Sequence, residues 1–233
     1  MRRFFILQLV LLACGHVPGT CMTADAAEET LIVTLGDSIT KGVRSGVTAE
    51  QTFSGLLQRE FGDDGAEVKV INKGIGGERT DQALQRLEKE ILSLKPSIIT
   101  VMYGTNDSYV DQDKSASRLS EEQFESNLQE LVRRLQAANV RVVLMTEPCW
   151  GKAARTNGLG EHPDERLQKY MERTRRVAAE KQVLLVDHYQ IWTKHRDAGN
   201  DPGEWTTDQC HPNPAGHREM ARAMLPVLKS LLK

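Results

Sequence analysis

Leu31-Ile32-Val33-Thr34-Leu35-Gly36-Asp37-Ser38-Ile39-Thr40 is the stretch that decides how this chain folds. Aliphatic and β-branched residues from Leu31 to Leu35, bounded by Gly36, predict a short buried strand, and Gly36-Asp37-Ser38 predicts the turn at its C-terminal end. An open α/β sheet keeps its chemistry at such ends. A serine hydroxyl there is held by rigid backbone yet reaches the crevice, which suits a nucleophile once a base stands beside it. Far down the chain, Asp208-Gln209-Cys210-His211-Pro212-Asn213 offers that base: a carboxylate three residues before an imidazole, close enough to orient it, in a Pro-bounded turn. Each piece alone also has a plain structural reading, Gly-Asp-Ser as an ordinary turn and Asp-x-x-His before Pro-Asn-Pro as a capping arrangement.

The segments between these two pieces alternate in character. Phe53, Leu56, Leu57 and Phe61 at helical spacing predict a helix over about 49–61, closed by Gly62. Val68 to Asn72 predicts a second strand running into Lys73-Gly74-Ile75-Gly76-Gly77-Glu78-Arg79-Thr80. Its glycines let a backbone N–H approach a ligand closely, and their spacing does not match a dinucleotide fingerprint. A helix over 81–94 is stopped by Pro96, and the nearly continuous apolar run 97–103 predicts a third strand covered on both faces. It ends in Gly104-Thr105-Asn106-Asp107. Ser120-Glu121-Glu122-Gln123 has the capping-box form, opening a helix that buries Phe124, Leu128, Leu131, Val132 and Leu135. A fourth strand (140–145) leads into Glu147-Pro148-Cys149-Trp150, a helix follows over 164–181, then a fifth strand (183–187) and a short helix (188–195). Asn213 caps and Pro214 begins a last helix, with Pro226 expected to kink it. Strand and helix alternating in this way predict an α/β fold, a five-stranded parallel sheet in a three-layer α/β/α sandwich.

A chain of 233 residues with 39% hydrophobic content fits one domain, here 27–233, better than two small ones. A formal net charge of −2 gives no basic footprint, which excludes nucleic acid as the expected partner. His16, His162, His188, His195 and His217 lack the paired spacing of metal ligands, so surface or helix-cap roles are expected and no cofactor is called for. Arg2 and Arg3 before the apolar run from Phe4 to Ala13 predict a secretory signal too short to span a bilayer. Ala24-Asp25-Ala26 supplies a cleavage site, making 1–26 the signal peptide. The alternative is a lipoprotein anchored through Cys14, since Leu11-Leu12-Ala13-Cys14 loosely resembles that type of signal. Cleavage after Ala26 leaves Cys149 and Cys210, which are expected to pair in an oxidising compartment, with two buried free thiols as the alternative.

Gly36-Asp37-Ser38-Ile39-Thr40, Asn72 through Gly77, Gly104-Thr105-Asn106-Asp107 and Asp208-x-x-His211 together resemble, in order and spacing, the blocks of the SGNH (GDSL) hydrolase superfamily. The resemblance covers nearly the whole mature chain. It implies a flavodoxin-like SGNH fold and a carboxylic ester hydrolase in which Ser38 is the nucleophile, His211 the general base and Asp208 its orienting partner. The N–H groups of Ser38 and Gly77, or Gly76 in its place, and the side-chain amide of Asn106 would form the oxyanion hole. Two features depart from the commonest pattern: Glu78-Arg79 places one extra residue before Thr80, and Cys210 adjoins the base. Trp150 and Trp205, in loops expected to border the crevice, together with Asp37, are the expected substrate contacts, with loop anchoring as the alternative for the tryptophans. No long apolar lid is evident, so a small-molecule or glycan ester with a short acyl group is expected, acetyl on carbohydrate above others. A lysophospholipase or acyl-thioesterase is the competing substrate reading. An exported binding module that keeps the fold without the chemistry is the competing class, and the intact set Ser38, Gly77, Asn106, Asp208 and His211 argues against it.

Overall fold

The structure, a computed structural model, describes residues 29–232. The expected signal peptide, the alternative anchor at Cys14 and His16 lie outside the described residues. Five parallel strands form one sheet in the order β2-β1-β3-β4-β5: β1 Thr30–Gly36, β2 Val68–Gly74, β3 Ile98–Met102, β4 Arg141–Thr146 and β5 Leu184–Asp187. Helices α2 (Phe53–Asp63), α3 (Thr80–Arg86), α5 (Glu121–Ala137), α6 (Asp164–Glu180), α7 (His188–Asp197) and α8 (Pro214–Leu231) cover its faces, and single-turn helices α1 (Ser38–Lys41) and α4 (Thr105–Ser108) sit at strand ends. Every residue of β3 is buried, as a central parallel strand clad on both faces requires. No helix among the described residues is long and apolar enough to cross a membrane.

The strand order places the site. From β1 the chain crosses to β2 on one side, and the next strand, β3, lies on the other, so β1 and β3 flank a topological switch point where a crevice opens. Gly36 and Gly74 are what lets the loops crowd there. A Cβ on Gly36 would stand 2.1 Å from Thr40 Oγ1 and 2.5 Å from Met102 O, and one on Gly74 would stand 2.1 Å from the Lys41 amide nitrogen. Asn72 completes the joint: its Nδ2 donates to Thr40 O at 2.7 Å while its Oδ1 accepts from the Gly74 amide at 2.9 Å.

Three elements differ from the periodicity. The helix expected over 49–61 begins as a 3-10 turn, Ala49–Gln51, and restarts as α2 because Thr52 is extended and its hydroxyl caps the Gly55 amide. The helix expected over 81–94 is α3, then a π turn (Leu87–Ile91), then a 3-10 turn (Leu92–Leu94). Gly104-Thr105-Asn106-Asp107, at the end of the third strand, opens the single turn α4.

At the junction of α3 with the glycine loop Arg86 turns inward. Its guanidinium donates from Nε to Glu78 Oε1 at 2.6 Å and from Nη2 to Lys73 O at 2.7 Å, and the Tyr103 hydroxyl donates to Glu78 Oε2 at 2.6 Å. Both partners of the ion pair are buried, with side chains 9% and 4% exposed. The extra residue before Thr80 is thus an anchor that fixes the loop 74–78 from below. Removing one partner leaves a buried charge without compensation, so Glu78→Ala should lower the unfolding free energy by about 3–5 kcal/mol. A urea titration of the variant against the parent reads this directly.

Candidate active site

Ser38 is the first residue of α1, and Asp37 before it caps that turn by accepting the Ile39 amide at 2.8 Å. The turn carries the Ser38 Oγ to 2.9 Å from His211 Nε2. Nδ1 of the same ring lies 2.9 Å from Asp208 Oδ2 and 3.1 Å from Oδ1. The turn that holds this pair is closed upon itself. Asp208 Oδ1 accepts the amides of Cys210 at 3.2 Å and His211 at 2.9 Å, and the Thr207 amide donates to His211 O at 2.8 Å. Gln209 adopts a φ of +73°, and its carbonyl accepts the Gly151 amide at 2.8 Å, which ties the turn to the loop after β4. Behind it Asn213 caps α8 through the amides of Ala215 and Gly216.

The charges in this row favour a neutral imidazole that still has a carboxylate behind it. Burial, which disfavours imidazolium, and the nearby Arg44 cation hold His211 below the usual imidazole range, against the pull of Asp208. Desolvation pushes Asp208 up, but hydrogen bonds from the His211 and Cys210 amides and the charge of the ring outweigh it, so the carboxyl sits below its ordinary value. Arg44, from the loop between α1 and α2, donates from Nη2 to Asp208 Oδ2 at 2.7 Å, the oxygen that also faces the ring.

Unengaged N–H groups stand at the ends of β1, β2 and β3. Asn106, in α4, is gripped on both sides: its Oδ1 accepts from Arg118 Nη1 at 3.1 Å and its Nδ2 donates to Asp37 Oδ2 at 2.7 Å. One amide hydrogen is left over. Ile75 to Glu78 form a turn closed by the Glu78 amide on Ile75 O, with Gly77 at a φ of +79° in the third position, as a type II turn requires. Among the described residues the amides of Gly76 and Gly77 donate to no other protein group, and the same holds for that of Ser38.

Several expected site residues are placed elsewhere or differently. Asp37 is fully buried beneath α1, so it does not offer its carboxylate to a substrate as expected. Burial pushes it up to about 7. Trp205 stacks on His195 with ring centroids 3.8 Å apart and meets Trp192 edge-on, which makes it a loop anchor rather than a surface stacker. Trp150 stacks on Tyr109, whose ring carries the Arg118 guanidinium that holds Asn106, so it remains connected to the crevice. The expected disulfide is absent. Cys149 and Cys210 are free and buried, the first beside Asp164 and Arg196 and the second beside Asp37 and Glu147, and burial pushes both thiols up, Cys149 to about 12. His217 caps α2 from within the core by accepting the Phe53 amide at 3.2 Å, and His188 is buried rather than on the surface. Arg44, Arg118 and Glu147 entered the neighbourhood unannounced. A charged residue directly after β4, one position past its apolar run, was the signal for Glu147.

A model of the GDSL-like Lipase/Acylhydrolase family matches residues 34–219. The chain is similar to Esterase TesA of Pseudomonas aeruginosa, 26% identical over 226 residues that span 95% of this chain and 98% of that one. It is also similar to Acetylxylan esterase of Geobacillus stearothermophilus, at 27% identity over 206 residues, 82% of this chain and 90% of that one. Among solved structures, that of the acetyl xylan esterase AlAXEase superposes with a TM-score of 0.72 at 25% identity, over 85% of this chain and 99% of that chain.

The acidic limb of kcat/KM reports the free imidazole. It should have its midpoint below 6.5, the ordinary value for histidine, since His211 is depressed. Arg44→Ala removes one cause of that depression, so the limb should move to higher pH. A rate profile of both proteins on a soluble ester checks the direction, and a midpoint that stays or falls in the variant contradicts it.

Proposed function

The chain belongs to the GDSL-like lipase/acylhydrolase family, and on that premise we propose that it is an exported serine esterase cleaving short acyl esters, chiefly acetyl groups on carbohydrate. Carboxylic ester hydrolysis itself is what the family and the curated relatives share. The observation that carries the mechanism is the row Ser38 Oγ, His211, Asp208, with 2.9 Å on each side of the ring. Ser38 is weakly nucleophilic until a neutral imidazole takes its proton. As the Oγ attacks the ester carbonyl carbon, His211 Nε2 accepts that proton and Asp208 stabilises the imidazolium and fixes its tautomer. The carbonyl oxygen gains charge and is met by the amides of Ser38 and Gly77 and by the free N–H of Asn106. Collapse expels the alcohol, protonated by the imidazolium, and leaves an acyl-serine. A water deprotonated by the same imidazole then releases the acid and restores the hydroxyl.

Acetyl on carbohydrate is supported by the names of the acetylxylan esterases. A second reading has its own observation. A cavity of about 490 Å³ beyond the end of α1, lined by Lys41, Val43, Ala49, Gln58 and Val70 among others and not by Ser38 or His211, is the feature that a longer acyl chain, as in a lysophospholipase or acyl-thioesterase, would have to reach. Export rests on the sequence of 1–26.

Purified protein should hydrolyse p-nitrophenyl acetate faster than the octanoyl ester and far faster than the palmitoyl ester, and should release acetate from acetylated xylan. Preference for octanoyl or palmitoyl hands the function to the second reading, and no turnover of any ester hands it to a binding module. Ser38→Ala should abolish activity, and Asn106→Ala should lower kcat by on the order of 100- to 1000-fold with little change in KM, as loss of one oxyanion donor does elsewhere. Osmotic release of the expressed full chain should recover it in the soluble extract. Recovery only with detergent would point to the anchor at Cys14.

A further inference from the structure

Behind the nucleophile lies a carboxyl group that the mechanism above does not use. Glu147 follows the last residue of β4 and is 0% exposed. Neither of its side-chain oxygens receives a hydrogen bond from a protein N–H or hydroxyl. Its surroundings are acidic or apolar: Asp37 within hydrogen-bonding reach, Asp107 at the start of α4, the Cys210 thiol, Met171 and the backbone of Gly104. The two cations of the neighbourhood are engaged elsewhere, Arg44 on Asp208 and Arg118 on Asn106 and Asp111. An ionised carboxylate left bare in such a place is strongly disfavoured, which is what drives buried acids to keep their proton. Asp37 differs in one respect: its oxygens accept from the Ile39 amide and from Asn106 Nδ2. Donors that stabilise a charge are on Asp37 and absent from Glu147, so of the two carboxyls it is Glu147 that carries the proton.

We propose that Glu147 is a positioning residue for ester hydrolysis, a neutral carboxylic acid that donates to Asp37 and thereby fixes Asp37 as the acceptor holding the Asn106 amide toward the substrate oxyanion. The inference rests on Asn106 being an oxyanion donor. The bond has two effects. Arg118 on Oδ1 and Asp37 on Nδ2 define the plane of the Asn106 amide, and that definition lasts only while the Asp37 carboxylate is itself held. The Glu147 proton also draws off part of the Asp37 negative charge, which stands behind the amide and opposes an oxyanion forming in front of it. Burial raises Glu147 far above its ordinary value, first by desolvation and then through Asp37 and Asp107, in keeping with an acid that stays protonated at neutral pH.

Glu147→Gln keeps a donor of similar shape that cannot titrate, and Glu147→Leu keeps the bulk without the donor. The Gln variant should retain kcat within about threefold of the parent. The Leu variant should lose about 10-fold or more in kcat with KM little changed, a part of the ~100- to 1000-fold that loss of an oxyanion donor costs. Difference infrared spectra at neutral pH read the proton without any turnover: a carboxylic-acid C=O band present in the parent should vanish in Glu147→Gln. A Gln variant as slow as the Leu variant, a Leu variant as fast as the parent, or no such band in the parent overturns the proposal. Asn106→Ala run beside them separates the failures. A slow Asn106→Ala with a fast Glu147→Leu sinks the role of Glu147 alone, and a fast Asn106→Ala sinks the oxyanion assignment on which it stands.

Discussion

The close approach of three parallel strand ends is the constraint on which the arrangement depends. At Gly36 the backbone of β1 lies so near Met102 O and the Thr40 hydroxyl that a methyl group would stand 2.5 Å and 2.1 Å from them. At Gly74 the same is true of β2 against the Lys41 amide. Only with no side chain at either position can α1 begin directly off β1 and lie in the notch between its neighbours. That notch puts Ser38 over the crevice, with the loop after β2 on one flank and α4 after β3 on the other. The serine owes its place to what is missing from two residues near it.

Much of this was legible in the chain, and the reasons are local. The central strands announce themselves because a parallel strand clad on both faces must be apolar throughout, and Ile98 to Met102 is the plainest case. The capping box at Ser120 opens α5 as written, since its hydrogen bonds span three residues. Contacts between distant segments left no such trace. The Arg44 bond to Asp208 joins residues 164 apart, and nothing in a loop of mixed polarity marks one arginine among several. Arg118 reaches Asn106 from 12 residues away through a polar loop that reads only as polar. Trp205 was legible as an aromatic beside the site but not as one already stacked on His195. The cysteines were paired by count and compartment, an argument blind to the burial of each as a free thiol.

Asp37 shows why a motif can be read correctly in position and wrongly in role. Beside Ser38 in sequence, it is expected to face the substrate, yet a residue that caps α1 must turn its carboxylate back toward the amides of that turn. Its oxygens then lie under the helix, where the Ile39 amide and the Asn106 side chain donate to them. One side chain thus caps the turn bearing Ser38 and holds the amide of Asn106, coupling the β1 and β3 ends through a part-buried hydrogen bond of 2.7 Å. Such a coupling is costly to leave half-made, since an unpaired buried carboxylate is penalised in full.

The buried acids also set the pH behaviour of the fold against that of the chemistry. Burial raises Asp37 from 3.8 to about 7 and Asp107 from 3.8 to about 6, so the folded state binds their protons more tightly than the unfolded chain does. The stability they contribute is complete below 3.8 and is lost as the pH climbs through their folded values. His211 runs the other way: depressed below 6.5, it favours the fold in its neutral form, and that contribution fades as the pH falls through its folded value. A neutral His211 therefore asks for a pH above its own pKa, while the stability contributed by Asp37 and Asp107 is greatest below theirs, so that an ionised Asp37 costs the fold part of it. The two demands are compatible because desolvation moves the base down and the acids up, and the same exclusion of water from one small volume does both.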